Sequence, residues 1–417
     1  NILARFICRS VTIIGCNGMH NSPSTAQAKS TLPPAATSTR GPRPLYIGSE
    51  IYRRAAFGPH HPLKIMRHSA VLDLVTTMGW LPADAFRDTV PATMEQLLTF
   101  HDRNYLEALQ YAESAGRVST EVREQFHIGT MENPVFDGLF ERASMTVGGS
   151  IQAARLALEG HAVFHPSGGT HHGRPDRASG FCYFNDPVFA IRTLLESGLD
   201  RVLYLDFDAH HGDGVEHAFS QDHRVLTLSI HEADRWPYSG AKCGESSINL
   251  PVPRGINDTE FEYLVERVVL PAIETFDAEA LVLCCGADCL DGDPLSAMAL
   301  SNVALWDAVQ QVLAFGRPTV VLGGGGYNPW TVTRYWAGLW GRINGKEMPS
   351  TLPDAARRLL GTMECDLIDE EDIRPEWLTT MVDNRNRGPL RDEIRSIARQ
   401  AVSGRTTARG EQTCDVA

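Results

Sequence analysis

The 417-residue chain has no CxxC pair among its nine cysteines, which sit at Cys8, Cys16, Cys182, Cys243, Cys284, Cys285, Cys289, Cys365 and Cys414. That spread argues against a zinc ribbon or a disulfide framework, and makes a reducing compartment, the cytoplasm, the expected location. No uninterrupted apolar run approaches the roughly 20 residues that a membrane helix needs, so no membrane partner is expected. Basic residues are outnumbered, 38 Lys and Arg against 51 Asp and Glu, leaving a formal charge of −13. Bulk charge of that sign does not neutralise phosphates, and direct nucleic-acid binding is not expected. Also missing are a GK[ST] loop and a GxGxxG turn opening a helix, which disfavours nucleotide binding by the Gly-rich segments. Acidic residues are absent before Glu50, and Ser, Thr, Ala and Pro dominate from Asn21 onward. Residues 1–43 therefore read as an N-terminal extension without a core of its own. An acid-free, Arg- and Ser-containing N-terminus also fits a mitochondrial transit peptide, the alternative location.

From Pro44 the text is that of a folded protein, and 43% hydrophobic residues over this length can bury a large core. PLYIGSEIY predicts an opening strand, 62–80 and 93–116 carry helical spacing, and VGGSIQAARLALE leads as a helix into the short run HAVFH. Helix 187–197 has Pro in its first turn and Gly just past its end. Apolar runs follow at RVLYLDF, RVLTLSI, ALVLCCG and PTVVLGGGG, separated by helical patterns at 258–276 and 297–314. Continuous apolar strands alternating with helices predict an α/β fold, a parallel sheet covered by helices on both faces. No internal repeat or linker interrupts 44–375, which reads as one catalytic domain followed by a C-terminal extension, 376–417.

In such a sheet ligands bind at the carboxyl ends of the strands. Each polar, Gly-rich loop here follows a strand: PSGGTHHG after HAVFH, DFDAHHGDG after VLYL, GADCLDGDP after LVLCC, and GGGGYN after TVVL. At a strand end residues i and i+2 share a face, so Asp208 and His210 can reach one point. Turn-capping or a buried ion pair is the bland reading of a lone DxD. Asp288, just past a separate buried strand, tips the balance, since a charge there needs a partner or a metal. Two carboxylates and one imidazole leave a coordination position open, the layout of a catalytic site; zinc is favoured, with Fe(II) or another divalent ion the alternative. The adjacent His171 and His172 are acid/base candidates, with Asp206 and Asp213 available to orient them. The four glycines bring Tyr327 to the rim, where its hydroxyl can polarise a carbonyl and stabilise an oxyanion.

Together, SGGTHHGRPDRASGFCYFND, LYLDFDAHHGDGVEHAFS, CGADCLDGDP and GGGGYNPW resemble the zinc-dependent histone deacetylase superfamily, in particular its bacterial acetoin-utilisation-type branch. The resemblance runs from Pro44 to Trp340. It implies an arginase-like single domain with a central eight-stranded parallel sheet, and hydrolysis of N-acyl amides by a metal-bound water. Position by position, it implies Asp208, His210 and Asp288 as metal ligands, His171 and His172 with Asp206 and Asp213 as the histidine–carboxylate pairs, and Tyr327 as the carbonyl-polarising tyrosine. It further implies Gly180, Phe181 and Trp236 as walls of an acyl-lysine channel, Glu132 as a rim residue that orients the substrate backbone, and Arg67 as an internal-cavity arginine. A K⁺ site would use backbone carbonyls of Asp206, Asp208 and His210 with Ser229 and Ile230. Thr170 stands where a Trp often precedes the histidine pair, and Ser246 where an aromatic would help a second cation site.

The expected substrate is an acylated lysine peptide or a small acylated amine. Two alternatives compete: a dinuclear-manganese ureohydrolase, for which Asp291 and Asp293 are the only further carboxylates in the loop, and a catalytically silent acyl-group binding protein.

Overall fold

Eight short strands, seven of them apolar, make the centre of the molecule, and their alternation sorts side chains onto two faces. The computed structural model describes residues 42–411, with side chains through Ser403, so almost all of the extension expected at 1–43 lies outside the described residues. The strands are β1 (Leu45–Gly48), β2 (Phe86–Asp88), β3 (Ala162–His165), β4 (Val202–Asp206), β5 (Val225–Glu232), β6 (Ser247–Val252), β7 (Ala280–Cys284) and β8 (Thr319–Leu322). They form one 8-stranded sheet in the order β2-β1-β3-β8-β7-β4-β5-β6, every pair parallel. Leu203 and Leu205 of β4, Leu281 and Leu283 of β7 and Val321 of β8 face one layer; Val202, Tyr204, Val282 and Val320 face the other. Because successive residues of a strand point to opposite faces, burying both faces requires the continuous apolar runs seen in the sequence.

Around the sheet lie α1 (Arg67–Thr77), α2 (Leu139–Leu158), α3 (Asp186–Glu196), α4 (Asp213–Phe219), α5 (Asn302–Leu313), α6 (Pro329–Ile343) and α7 (Asp392–Glu411), with further helices between. Residues of α5 and α6, including the fully buried Trp306, Trp330, Trp336 and Trp340, fill the first layer; Ala153 and Ala154 of α2 and Ile191 and Leu194 of α3 fill the second. The α3 start follows from sequence: Asn185 accepts from the Val188 N–H while Pro187 occupies the first turn.

Two expected helices are interrupted for physical reasons. The 93–116 pattern splits into Met94–Leu97 and Arg103–Ala115, because the backbone N–H of Asp102 donates to Pro175 O and the ring of His101 to Arg174 O. The 258–276 pattern carries a π turn at Val265–Val269 ahead of Pro271, which has no N–H for the helical ladder. The boundary placed at 375 is also revised. Trp377, Met381, Ile394, Ala398 and Ala401 are buried in the first layer, so the described part of 376–417 belongs to the folded unit and is not an appendage. Fully buried Arg334 of α6 reaches Asp383 at 2.6 Å, and Arg391 reaches buried Glu260 at 2.6 Å.

Candidate active site

The carboxyl ends of β3, β4, β7 and β8 carry the loops that the sequence singled out. Past β4, hydrogen bonds fix the turn: Asp208 N–H donates to Asp206 Oδ1 at 3.0 Å and His210 N–H to Asp208 Oδ1 at 2.9 Å. Asp288, past β7, is drawn in by the Ala209 N–H at 2.9 Å, and Gly325, past β8, donates to Asp208 Oδ2 at 2.6 Å. The result brings one ligand-type atom each from Asp208, His210 and Asp288 within 4.8 Å of one another, with His210 Nδ1 2.9 Å from Asp288 Oδ2.

Charge shows what this arrangement wants. Asp208 and Asp288 are fully buried. Burial and the Asp208 charge push the Asp288 carboxyl up to about 6, and burial and Asp288 push neighbouring Asp293 up to about 7. Burial alone would depress His210, but its bonds to Asp208 and Asp288 override this and raise it to about 10. The group thus gathers protons where a cation would offset the same buried negative charge. The backbone is also bare where it closes on the carboxylates: a Cβ on Gly325 would sit 2.1 Å from Asp288 Oδ2, and one on Gly286 2.2 Å from Asp208 Oδ2. The oxygen and nitrogen donors and the buried negative charge fit a divalent ion. A second cluster of His171, Asp208 and Cys284 fits less well, since burial holds the Cys284 thiol far above its ordinary range and the thiolate is the ligand form.

Beside the carboxylates stand two histidine–aspartate pairs with ring centroids 3.9 Å apart. His171 Nδ1 meets Asp206 Oδ2 at 2.7 Å and His172 Nδ1 meets Asp213 Oδ1 at 2.8 Å. The pairs look alike but differ in charge. For His171 the burial penalty is outweighed by Asp206 and Asp208, raising it to about 9. For His172 burial and the charge of His171 win and lower it to about 4. Asp213 is shared with Arg174, whose place in the THHGR motif was its only sequence signal. Tyr327 is buried, its N–H donating to Asp293 Oδ2 at 2.7 Å, and burial with the nearby Asp288 and Asp208 holds its hydroxyl protonated, well above 10.

The walls come from two further loops. Trp236 stands edge-on to His172 at 4.6 Å, and Phe181 to Tyr327 at 5.8 Å. Gly180, at φ 55°, permits the close approach: a Cβ there would lie 2.3 Å from Trp236 and 2.6 Å from His172. Glu132 Oε1 accepts from the Gly180 N–H at 2.8 Å, so it braces the wall, a contact the sequence did not reveal. His211, which had no role in the sequence, ties the Trp236 loop down, contacting Ser239 Oγ at 2.8 Å and Glu216 Oε2 at 2.9 Å. Ser229 pairs with Asp206 in the sheet register, Ile230 follows it, and Arg67 donates to Gly326 O at 3.0 Å. Thr170 turns its hydroxyl to Phe184 O at 2.7 Å. Ser246 lies at the far end of β5, its carbonyl accepting from Thr227. Asp291 reaches out to Arg374 at 2.6 Å and takes no part in the cluster.

With this geometry in place, comparison with known proteins is decisive. A family model for the histone deacetylase domain matches residues 61–343. The chain belongs to the histone deacetylase family. It is 38% identical over 293 residues to histone deacetylase B of Dictyostelium discoideum, covering 67% of this chain and 68% of that protein. It is 35% identical over 310 residues to histone deacetylase RPD3 of Saccharomyces cerevisiae, covering 72% of this chain and 71% of that one. The crystal structure of a histone deacetylase homologue from Aquifex aeolicus superposes with a TM-score of 0.83 at 36% identity, over 86% of this chain and 100% of that chain; a second structure holds such a homologue complexed with SAHA. The parallel sheet is that of this family, and the chain is a metal-dependent deacylase, a hydrolase of amide bonds. Neither the ureohydrolase nor the silent binding protein is favoured.

Proposed function

We propose that the chain hydrolyses Nε-acyl-lysine in peptides, with Zn²⁺ at Asp208, His210 and Asp288. The observation that carries this reading is the convergence, in one channel, of a neutral imidazole, a protonated phenol and a pair of buried carboxylates. Zinc suits three N/O donors with one position open, and Fe(II) is the alternative. A divalent ion bound there supplies Lewis acidity toward the acyl oxygen and the attacking water. The chain's own groups do the rest. His172, kept neutral and oriented through Nδ1 by Asp213, takes the water proton at Nε2 and returns it to the departing lysine amine. His171, held as the cation by Asp206, places positive charge beside the developing tetrahedral centre, and the Tyr327 hydroxyl donates to its oxyanion. Phe181, Gly180 and Trp236 take the lysine methylenes, and the second oxygen of Glu132 faces the substrate backbone.

Backbone carbonyls of Asp206, Asp208, His210, Ser229 and Ile230 are the proposed K⁺ ligands, supported by the adjacency of β4 and β5. The bacterial homologue from Aquifex aeolicus, matched over 100% of its own chain, supports the bacterial acetoin-utilisation-type branch. No described helix is long and apolar enough to cross a membrane, and the six described cysteines are free, which suits the cytoplasm. The test is turnover of a fluorogenic acetyl-lysine peptide before and after chelation, with Zn²⁺ or Fe²⁺ added back. Turnover should vanish with the metal and return with it; chelator-insensitive turnover would sink the proposal.

A further inference from the structure

Behind the catalytic groups the channel continues into a cavity of about 100 Å³ that Asp208, His172 and Tyr327 share with Arg67 and Arg142. Neither guanidinium has a carboxylate partner among the described residues. Arg67 donates to Gly326 O at 3.0 Å and Arg142 to Ile51 O at 3.1 Å, which leaves most of their five donors each unused. Between them stands a ladder of rings: Arg67 over Trp336 at 5.3 Å, Trp336 stacked on His68 at 5.9 Å, His68 edge-on to Tyr52 at 5.1 Å, and Tyr52 beneath Arg142 at 4.9 Å. The hydroxyls of Tyr52 and Thr146 bond each other at 2.9 Å beside Ser167 in the same lining. Asp208, at the metal-ligand end, is the single carboxylate in that lining. Two cations lining one pocket are unfavourable without an anion to offset them, and the planar guanidinium of either matches a carboxylate in shape and charge.

Resting on the acyl-lysine reading above, we propose that this cavity receives the distal carboxylate of dicarboxylic acyl groups, making succinyl-lysine and its near homologues substrates, with Arg142 the specificity-determining residue. The size agrees, since each water-sized group needs roughly 10–15 Å³ of such space and succinyl extends acetyl by four heavy atoms. The reaction is the same hydrolysis: water oxygen joins the acyl carbon, the C–N bond breaks, the lysine amine takes the proton, and a free dicarboxylate leaves.

The decisive comparison uses the metal-loaded chain and peptides identical except for acetyl, butyryl or succinyl on one lysine; butyryl has succinyl's carbon count without its charge. The kcat/KM for succinyl should exceed that for butyryl by about 10- to 100-fold, the range expected of a hydrogen bond to a charged group. Arg142→Met should bring that ratio to near one, and Arg142→Lys should leave it between. Heat stabilisation by each peptide gives a readout that needs no turnover: succinyl-lysine should raise the melting temperature more than butyryl-lysine, and Arg142→Met should abolish the difference. A wild-type ratio at or below one in both assays overturns the proposal, as does an unchanged ratio in a folded Arg142→Met chain. If no peptide is cleaved yet the succinyl peptide stabilises selectively, the hydrolytic reading fails while the anion pocket stands.

Discussion

Adding a single methyl group at Gly325 should unseat the metal while leaving the fold intact. Gly325 has no left-handed backbone requirement, and its N–H bond to Asp208 survives substitution by Ala. The new Cβ, however, would lie 2.1 Å from Asp288 Oδ2 and 3.0 Å from Asp208 Oδ2, whereas ordinary contact begins at 3.4 Å. Asp288 must therefore retreat by about 1.3 Å, against the hydrogen bond that Ala209 N–H makes to its other oxygen. Metal–ligand distances tolerate about 0.2 Å, so the retreat removes Asp288 as a ligand. Disturbing a residue one layer outside a metal site already costs about 10- to 100-fold in affinity, and losing a direct ligand should cost at least the upper figure. Metal content after dialysis against graded chelator, with circular dichroism as the check on folding, measures the loss. Gly58→Ala, whose Cβ would meet nothing within 4 Å, is the control. A Gly325→Ala chain that keeps one ion at the wild-type chelator concentration, with full turnover, would refute both the assignment of Asp288 and the steric reasoning.

Three further outcomes are expected. Tyr327→Phe should lower kcat about 10²- to 10³-fold at unchanged metal content, as for loss of one oxyanion donor; single-turnover kinetics beside metal analysis checks it. Because His172 must be neutral to act as base and its burial beside charged His171 lowers it to about 4, kcat/KM should stay level as pH falls from 7 and drop only as pH approaches that value; an acid limb at the ordinary 6.5 would count against His172 as the base. Arg334→Met should cost about 2–4 kcal/mol in urea unfolding, because Asp383 and Thr380 O lose a buried donor, with the lower end favoured by the 20% exposure of Asp383; a change below 0.5 kcal/mol, the scatter of ordinary surface substitutions, would mean that the pair is not structural.

How far the sequence reached depended on how local the cause was. Six strands were readable because each is an apolar run, and four of them end in a Gly- or Asp-rich loop. β2 was not, being three residues long, and β6 was masked by Pro251, which an edge strand tolerates because one side of it is unpaired. The parallel-sheet rule put four loops on one rim, so Asp208, His210, Asp288, His171, His172 and Tyr327 could be grouped before any coordinate was known. The opposite charge states of His171 and His172 were beyond reach, since they come from burial, from the charge of His171 beside His172, and from Asp206 and Asp208 converging on His171. Arg142 was hidden for a similar reason. A lone arginine in a helical pattern reads as a solvated face, and only the packing of α2 turns it inward.

The burial of Trp377, Met381, Ile394 and Ala401 against a layer that begins at Tyr46 also sets an order of assembly. Strands β1 to β8 all leave the ribosome before α7, which packs on β6, and Glu260 waits more than a hundred residues for Arg391. Until α7 arrives, the β6 edge of this layer stays an open apolar surface, the kind that holdase chaperones recognise. The domain therefore completes its core only once α7 has been made, and a ribosome stalled after β8 would display a strand-complete but unsealed intermediate.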